Sequence, residues 1–242
     1  MNTTKEKRVR DGHQVARVHD ELRSMILRGE LRPGSSLSQS ELVERLDIGR
    51  TPLREALRLL QSEGLLEAAP NRNVKIADFT LDDVEDLYVM RVALECSAAL
   101  FTVRSLGSGD IAELGGLMAQ MEHFEEERDH LGWEQPHRAL HMKLVSAAGP
   151  GMQQTIDRLW DHAERYRRFF ELADPPYWLL RAEEHRHLVE TAKERDSVGV
   201  SRLLALHYSW TVSETMKEAG SDKSPDALDS VVRRFAGAEG VK

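Results

Sequence analysis

Between residues 38 and 76, the hydrophobic and polar positions predict a helix-turn-helix. The first helix begins at Ser38, because Ser38 and Glu41 form the S-x-x-E capping box that satisfies free N–H groups at a helix start. Its apolar face consists of Leu42, Val43 and Leu46. After a turn at residues 47–49, Thr51 is expected to cap a second helix with Pro52 at its first position, where the missing N–H costs nothing. The buried face of the second helix consists of Leu53, Ala56, Leu57 and Leu60.

The segment after the second helix predicts a two-stranded wing. Gly64 ends the helix, and short runs of β-forming residues at 65–67 and 74–76 flank a turn at 70–73. Two helices followed by a wing are the layout of a winged helix-turn-helix that reads DNA.

From residue 79 onward the pattern is helical, without a strand signal. Helices are expected over about 80–103, 110–130, 133–148, 152–172, 177–195 and 196–218, with a short one after Ser224-Pro225. Gly115 and Gly116 predict close packing or a kink in the second of these. The predicted fold class is therefore mainly α. A winged helix-turn-helix spans residues 1–78, with a flexible arm at 1–10, and an antiparallel all-α bundle spans 79–242.

Cationic side chains cluster at the start of the second helix. Arg54 and Arg58 are four residues apart and share a face, and Arg50 lies just before the cap. A recognition helix points this end into the major groove, where arginine binds guanine or phosphate. The alternative is that these are ordinary solvated charges. The predicted DNA-contacting residues, including two on the wing, are Arg50, Thr51, Arg54, Arg58, Arg72 and Lys75.

The net charge of −8 is unevenly distributed along the chain. Residues 1–78 carry 14 Lys and Arg against 12 Asp and Glu, a net +2, whereas residues 79–242 carry 19 against 29, a net −10. The acidic part should repel DNA, so only the first part is expected to bind it.

Composition favours a cytoplasmic protein. The single cysteine, Cys96, excludes an intrachain disulfide and fits a reducing compartment as a small buried apolar residue. No apolar run reaches the length of a membrane span, and the charged N-terminus lacks the apolar core of a signal peptide.

Four histidines predict a metal site in the helical part. His137 and His141 are four residues apart and face the same way, while His185 and His207 lie on two other predicted helices. Converging imidazoles suit zinc, nickel or another borderline divalent ion. For any one of these histidines the alternative is a structural or surface role.

The first part of the chain resembles the GntR family of bacterial transcription regulators. The resemblance implies that Arg50 and Arg54 contact an operator and that Thr51 assists. Two positions depart from the family pattern: Ser40 stands where some members have another DNA-contacting arginine, and Asn73 stands where the wing usually has glycine. The matching segments are Gly29-Glu30-Leu31, Pro33-Gly34, Arg50-Thr51-Pro52, Arg54-Glu55-Ala56-Leu57 and Glu63-Gly64-Leu65.

The second part resembles the FadR-type branch, with its FCD ligand-binding domain. The resemblance implies metal ligation by His141, His185 and His207, with His137 where the branch usually has aspartate. A four-histidine site is one charge more positive than the usual one, which favours an anionic effector. The resemblance also places Arg91 beside the effector pocket, and the alternative for Arg91 is a structural pair with Glu95.

These features predict a homodimeric transcription factor that is not an enzyme. A small carboxylate effector, bound with the metal ion, would control affinity for a double-stranded operator, with repression the expected sign. The alternative of a helical-bundle metalloenzyme rests on two Glu-x-x-His sequences. Pro136 interrupts the first, His185 and His187 face opposite sides, and the winged helix would be unexplained. A winged helix that binds only proteins would not explain the clustered arginines.

Overall fold

The computed structural model describes residues 2–27, 29–68, 73–78, 80–170 and 182–237. The chain divides into two units, one comprising residues 1–80 and 164–169 and the other comprising 81–163 and 170–242. The predicted wing turn with Arg72, the predicted break at 174–176 and the predicted start of a helix near residue 177 lie outside the described residues.

The first unit combines three helices with a small sheet. Its elements are α1 (Asn2–Leu27), β1 (Ser36–Ser38), α2 (Gln39–Arg45), α3 (Arg50–Ser62), β2 (Leu66–Ala68) and β3 (Asn73–Ile76). The strands are antiparallel in the order β1-β3-β2, with Leu37 opposite Val74 and Glu67 opposite Lys75. The sequence predicts only two of these strands, and it predicts a flexible arm over residues 1–10 where α1 begins at Asn2. The sheet joins the helices around a core that includes Leu22, Leu53, Leu57, Leu60 and Ile76.

The ends of α2 and α3 follow from local hydrogen bonds. The capping box at α2 is confirmed: Ser38 Oγ accepts the N–H of Ser40 and the Glu41 carboxylate accepts the N–H of Ser38, both at 3.2 Å. The predicted cap at Thr51 is wrong, because the carbonyl of Gly49 already accepts the N–H of Leu53 at 3.2 Å and makes Gly49 the cap of α3. Pro52 then sits third in the helix, where its missing N–H still costs no hydrogen bond.

The second unit is helical throughout its described residues. Its elements are α4 (Leu81–Arg91), a π-helical segment (Val92–Cys96), α5 (Ser97–Ser105), α6 (Ser108–Glu126), α7 (His130–Leu144), α8 (Pro150–Phe170, apart from residues 164–169, which group with the first unit), α9 (Ala182–Lys193), α10 (Ser197–Glu218) and α11 (Asp226–Ala236). Helix α10 packs against α4, α5, α9 and α11, and so lies at the centre of this unit. Its start is fixed by Asp196, whose carboxylate accepts the N–H of Gly199 at 2.8 Å.

The single cysteine is a buried residue, as the sequence predicts. Cys96 is fully buried in the π-helical segment, and burial raises the pKa of its thiol. Among the described residues, no helix combines the length and apolar character needed to cross a membrane.

The glycine pair in α6 does not mark a close contact within the protomer. A Cβ atom added at Gly115 or Gly116 would meet no other atom within 4 Å, and the helix continues through both residues. The predicted close packing is therefore wrong. Gly199, in the first turn of α10, is a crowded position by contrast, because a Cβ there would lie 2.8 Å from Thr191 Cγ2 and closer still to Asp196.

The same substitution at these two glycines should have opposite effects on stability. Gly116→Ala should raise the free energy of unfolding by about 0.5–1 kcal/mol, because it removes backbone freedom from the unfolded chain without a clash. Gly199→Ala should lower it by about 1–3 kcal/mol through overpacking and loss of the helix cap. Urea unfolding of the two variants beside the parent measures both. A Gly199→Ala variant as stable as Gly116→Ala would contradict the crowded geometry.

Candidate DNA interface and metal centre

The first turns of α3 present Arg50, Thr51 and Arg54 to solvent on one surface. All three side chains are exposed. Arg50 and Arg54 line the same surface depression, of about 650 Å³, together with Ser38, Gln39, Ser40, Val43 and Leu53. The structure thus brings together the residues predicted to read DNA at the start of the second helix.

The orientation of this surface is fixed by the opposite face of α3. Leu53, Leu57 and Leu60 are at most 3% exposed and pack into the core of the first unit, against α1 among other elements. Burying three leucines contributes several kcal/mol, so rotation of α3 about its axis would be costly. The arginines are therefore held on a rigid platform.

Of the other predicted DNA contacts, one lies further along α3, one on strand β3 and one outside the described residues. Arg58, one turn after Arg54, donates to Glu55 at 2.9 Å, and both are exposed. Lys75 on β3 donates to Glu67 on β2 at 3.2 Å. Exposed ion pairs contribute about 0–1 kcal/mol, so either cation is readily available to a phosphate. Arg72 lies outside the described residues.

The four predicted metal ligands meet in the interior of the second unit. His137 and His141 come from α7, His185 from α9 and His207 from α10, with exposed fractions of 3%, 1%, 1% and 8%. Each of the four histidines offers one ring nitrogen to a metal ion, and these four nitrogens all lie within 4.8 Å of one another. Residues far apart in the sequence therefore converge on one point.

The donor set fits a divalent metal ion. An ion bound at about 2.0–2.1 Å by each nitrogen keeps any two of them within about 4.2 Å, so small side-chain rotations would close the widest pair. Buried imidazoles are ligands that zinc, nickel and similar borderline ions prefer. The cluster can hold such an ion.

Two tryptophans form walls around the histidines. Trp133, four residues before His137 on α7, stacks on it with ring centroids 4.1 Å apart. Trp160 on α8 packs its ring 5.4 Å from His137 and 5.0 Å from His141. Their bulk restricts the rotamers of both histidines and excludes bulk water from one side of the cluster.

Two histidines also make hydrogen bonds outside the cluster. The Nδ1 atom of His207 lies 3.0 Å from Glu184 Oε2, at the edge of the cluster. The Nδ1 atom of His141 lies 3.2 Å from the hydroxyl of Tyr208 in the interior. Such partners orient the rings of metal-binding histidines.

Arg91 and Glu95 form a buried ion pair beside the cluster. Arg91 Nε donates to Glu95 Oε1 at 2.8 Å, and the guanidinium carbon lies 4.2 Å from the Trp160 ring centre and 4.3 Å from that of Tyr208. Burial by itself would lower the pKa of Arg91, but attraction to Glu95 and the neighbouring tyrosines leaves it raised, so the arginine stays charged. The pair that the sequence suggests as an alternative is thus present, and contact between Arg91 and an effector stays a prediction.

Sequence analysis missed the partners of the histidines. Glu184 directly precedes His185 in the sequence, and Tyr208 directly follows His207. Trp133 lies four residues before His137, a spacing that predicts contact between the two side chains on one helix face. Nothing in the sequence links Tyr208 to Glu95, which lies 113 residues away and accepts a hydrogen bond from the Tyr208 hydroxyl.

Comparison with known proteins agrees with both parts of this description. Residues 14–76 match the family described as bacterial regulatory proteins, gntR family, and residues 86–209 match the FCD domain. The HTH-type transcriptional regulator BphR of Paraburkholderia xenovorans is 32% identical over 199 residues, which cover 79% of this chain and 81% of BphR. The HTH-type transcriptional repressor GlaR of Escherichia coli is 26% identical over 202 residues, covering 77% of this chain and 88% of GlaR.

A solved structure shares the fold. The structure of E. coli McbR/YncC superposes with a TM-score of 0.75 at 23% identity, covering 85% of this chain and 98% of that one. The relatives are regulators, so the metalloenzyme alternative is not supported, and the predicted family, fold class and non-enzymatic character are confirmed. The chain belongs to the GntR family, in the branch that carries an FCD domain, and is a DNA-binding transcription regulator.

Proposed function

We propose that this protein is a homodimeric cytoplasmic repressor whose operator affinity is controlled by a small carboxylate bound with a divalent metal ion. The winged helix of residues 1–78 would bind the operator, and the helical domain of residues 79–242 would bind the effector and dimerise. The observation that carries the proposal is the buried convergence of four histidines in a chain whose α3 helix exposes paired arginines. GlaR, a relative of similar length, is named a repressor, which supports the sign of control.

Operator binding is assigned to the first turns of α3. Arg50 and Arg54 line one depression, and the backbone N–H of Thr51 between them is suited to a phosphate oxygen. A guanidinium at Arg54 that reaches guanine would make two hydrogen bonds to O6 and N7. Arg58, Lys75 and Arg72 are assigned to flanking phosphates.

The expected effector is an anion because of the charge around the cluster. Four neutral imidazoles leave the two positive charges of a divalent ion uncompensated, and the buried Arg91–Glu95 pair adds no net charge. Glu184 supplies one negative charge at the rim through His207. A small carboxylate would supply both the missing charge and an oxygen ligand. Zinc or nickel is the expected ion, and when bound it supplies a coordination position for the carboxylate.

Dimerisation follows from the symmetry of operators and from exposed apolar groups. Regulators with a helix-turn-helix bind two half-sites through a two-fold dimer. On α5, Leu100 and Phe101 are adjacent in the sequence and 37% and 45% exposed, which leaves apolar surface that a second protomer can cover. We assign this face to contact with a second copy of the chain.

Arg54→Ala should weaken operator binding by about 1–3 kcal/mol without changing the fold, because it removes one base or phosphate contact. Fluorescence anisotropy with a labelled operator measures the loss, and circular dichroism checks the fold. Arg202→Ala, which removes an exposed guanidinium from α10, is the matched control and should bind as the parent does. Equal affinities for parent and Arg54→Ala would remove Arg54 from the DNA surface.

The double variant His141→Ala/His207→Ala should bind no zinc or nickel, because it loses half of the imidazoles. Elemental analysis after loading and dialysis measures the metal content. His187→Ala is the control, since His187 is exposed on α9 and lies outside the cluster. In a thermal-shift screen of zinc-loaded protein, citrate or a shorter carboxylate should raise the melting temperature of the parent and of the control. The double variant should show no such rise. A parent that takes up no metal would refute the proposed site.

Phe101→Asp should convert the dimer into a monomer at micromolar concentration, because it places a charge in an apolar interface. Light scattering after size exclusion measures the mass. Leu131→Asp is the control: Leu131 is 65% exposed on α7, outside the assigned face. A monomeric parent, or a dimer that survives Phe101→Asp, would contradict this assignment.

A further inference from the structure

The hydrogen bonds of Tyr208 determine which nitrogen of His141 carries a proton. The Tyr208 hydroxyl contacts three groups: Glu95 Oε2 at 2.6 Å, an Arg91 nitrogen at 3.0 Å and His141 Nδ1 at 3.2 Å. A phenol has one proton to donate and lone pairs to accept hydrogen bonds. The assignment of donors among these three contacts is therefore constrained.

The single proton of Tyr208 goes to Glu95. The Glu95 carboxylate accepts a hydrogen bond from Arg91 on Oε1. Its Oε2 accepts from Trp160 Nε1, at 3.0 Å, and from the Tyr208 hydroxyl, so Glu95 is an acceptor in all three contacts. The Tyr208 hydroxyl donates to Glu95 Oε2 at 2.6 Å, the shortest of its three contacts. Arginine can only donate, so the tyrosine oxygen accepts from Arg91.

The remaining contact of Tyr208 must then be one in which His141 donates. With its proton committed to Glu95, the hydroxyl can meet His141 Nδ1 only as an acceptor, which requires a hydrogen on Nδ1. A neutral imidazole protonated on Nδ1 has its lone pair on Nε2. This leaves Nε2 as the atom of His141 that can bind a metal ion.

The same reasoning applies to His207 at the edge of the cluster. Its Nδ1 atom lies 3.0 Å from a carboxylate oxygen of Glu184, which accepts and does not donate. His207 therefore also carries its hydrogen on Nδ1 and its lone pair on Nε2. Two different partners, a buried phenol and a partly exposed carboxylate, impose the same tautomer on two ligands.

We propose that Tyr208 and Glu184 are positioning residues that fix His141 and His207 as Nδ1–H tautomers and so present Nε2 of each to the metal ion. Arg91 and Glu95 act through Tyr208, because together they fix the direction of its hydroxyl. Neither Tyr208 nor Glu184 belongs to the group of candidate ligands. The effect on metal binding rests on the proposed metal site, whereas the two tautomers are expected in the metal-free protein as well.

The tautomers can be observed directly in metal-free protein. Two-bond ¹H–¹⁵N correlation spectra of ¹⁵N-histidine-labelled protein, at about pH 8 where imidazoles are neutral, should show His141 and His207 protonated on Nδ1. Tyr208→Phe should abolish this preference at His141 only, and Glu184→Ala at His207 only. Spectra of the parent with either ring protonated on Nε2 would overturn the assignment for that ring.

Zinc affinity provides the second readout. Competition with a chromophoric chelator should show that Tyr208→Phe and Glu184→Ala each weaken zinc binding about 10- to 100-fold, the usual effect of removing such a partner. Tyr88→Phe removes a hydroxyl from another buried tyrosine beside Arg91, and Glu183→Ala removes the carboxylate adjacent to Glu184. Both controls should stay within about twofold of the parent.

The outcomes separate this inference from the proposed function. If Tyr208→Phe keeps both the tautomer and the zinc affinity of the parent, or if Tyr88→Phe loses as much affinity, the positioning role is refuted. Because Glu184 is partly exposed, its variant tests the same idea even if Tyr208→Phe fails to fold. If the parent has both tautomers but binds neither zinc nor nickel, the proposed metal site falls, while the tautomer assignment stands.

Discussion

The convergence of four buried imidazoles is the constraint on which the helical unit depends. Polar groups removed from water must be compensated, and His137, His141, His185 and His207 are almost completely inaccessible. Their surroundings supply part of this compensation. Tryptophans pack against the rings, Glu184 and Tyr208 bind two Nδ1 atoms, and the Arg91–Glu95 pair holds Tyr208. A core built only for stability would be at least as stable with apolar residues such as leucine at these positions.

The buried ion pair illustrates this cost. Arg91 and Glu95 are about as buried as any residue in the chain, and pairs of this kind seldom add stability over apolar residues of similar size. Here the pair lies where α4 passes into a π-helical segment, and such segments often mark functional sites. Glu95 binds Tyr208 and Trp160, both of which touch His141, so the charges organise the histidine cluster.

The DNA-binding unit follows a simpler rule, in which one helix buries leucines on one face and exposes arginines on the other. Its layout could be predicted from the sequence because capping boxes, proline in a first turn and apolar spacing are local signals. The exact start of α3 could not, since the competition between Gly49 and Thr51 for the cap is decided by one backbone hydrogen bond. Strand β1 was missed because three residues carry no periodicity and form a strand only by pairing with β3.

In the helical unit, the sequence identified the histidines but not what holds them. The spacing of His137 and His141 dictates a shared face, and His185 and His207 lie on two other predicted helices. The family resemblance then implied that His141, His185 and His207 ligate a metal ion. The contacts of Tyr208 with Glu95 and His141 join three helical segments that are distant in sequence, and only tertiary packing reveals them. For the same reason, Gly115 and Gly116 looked like a packing contact, although their surroundings within the protomer are open.

X-ray absorption spectroscopy of the zinc-loaded protein tests the central claim most directly. The account predicts three or four imidazole nitrogens at about 2.0–2.1 Å from a single ion, with the multiple-scattering pattern of histidine rings. A spectrum with fewer than three imidazoles, or one dominated by water and carboxylate oxygen, would contradict it.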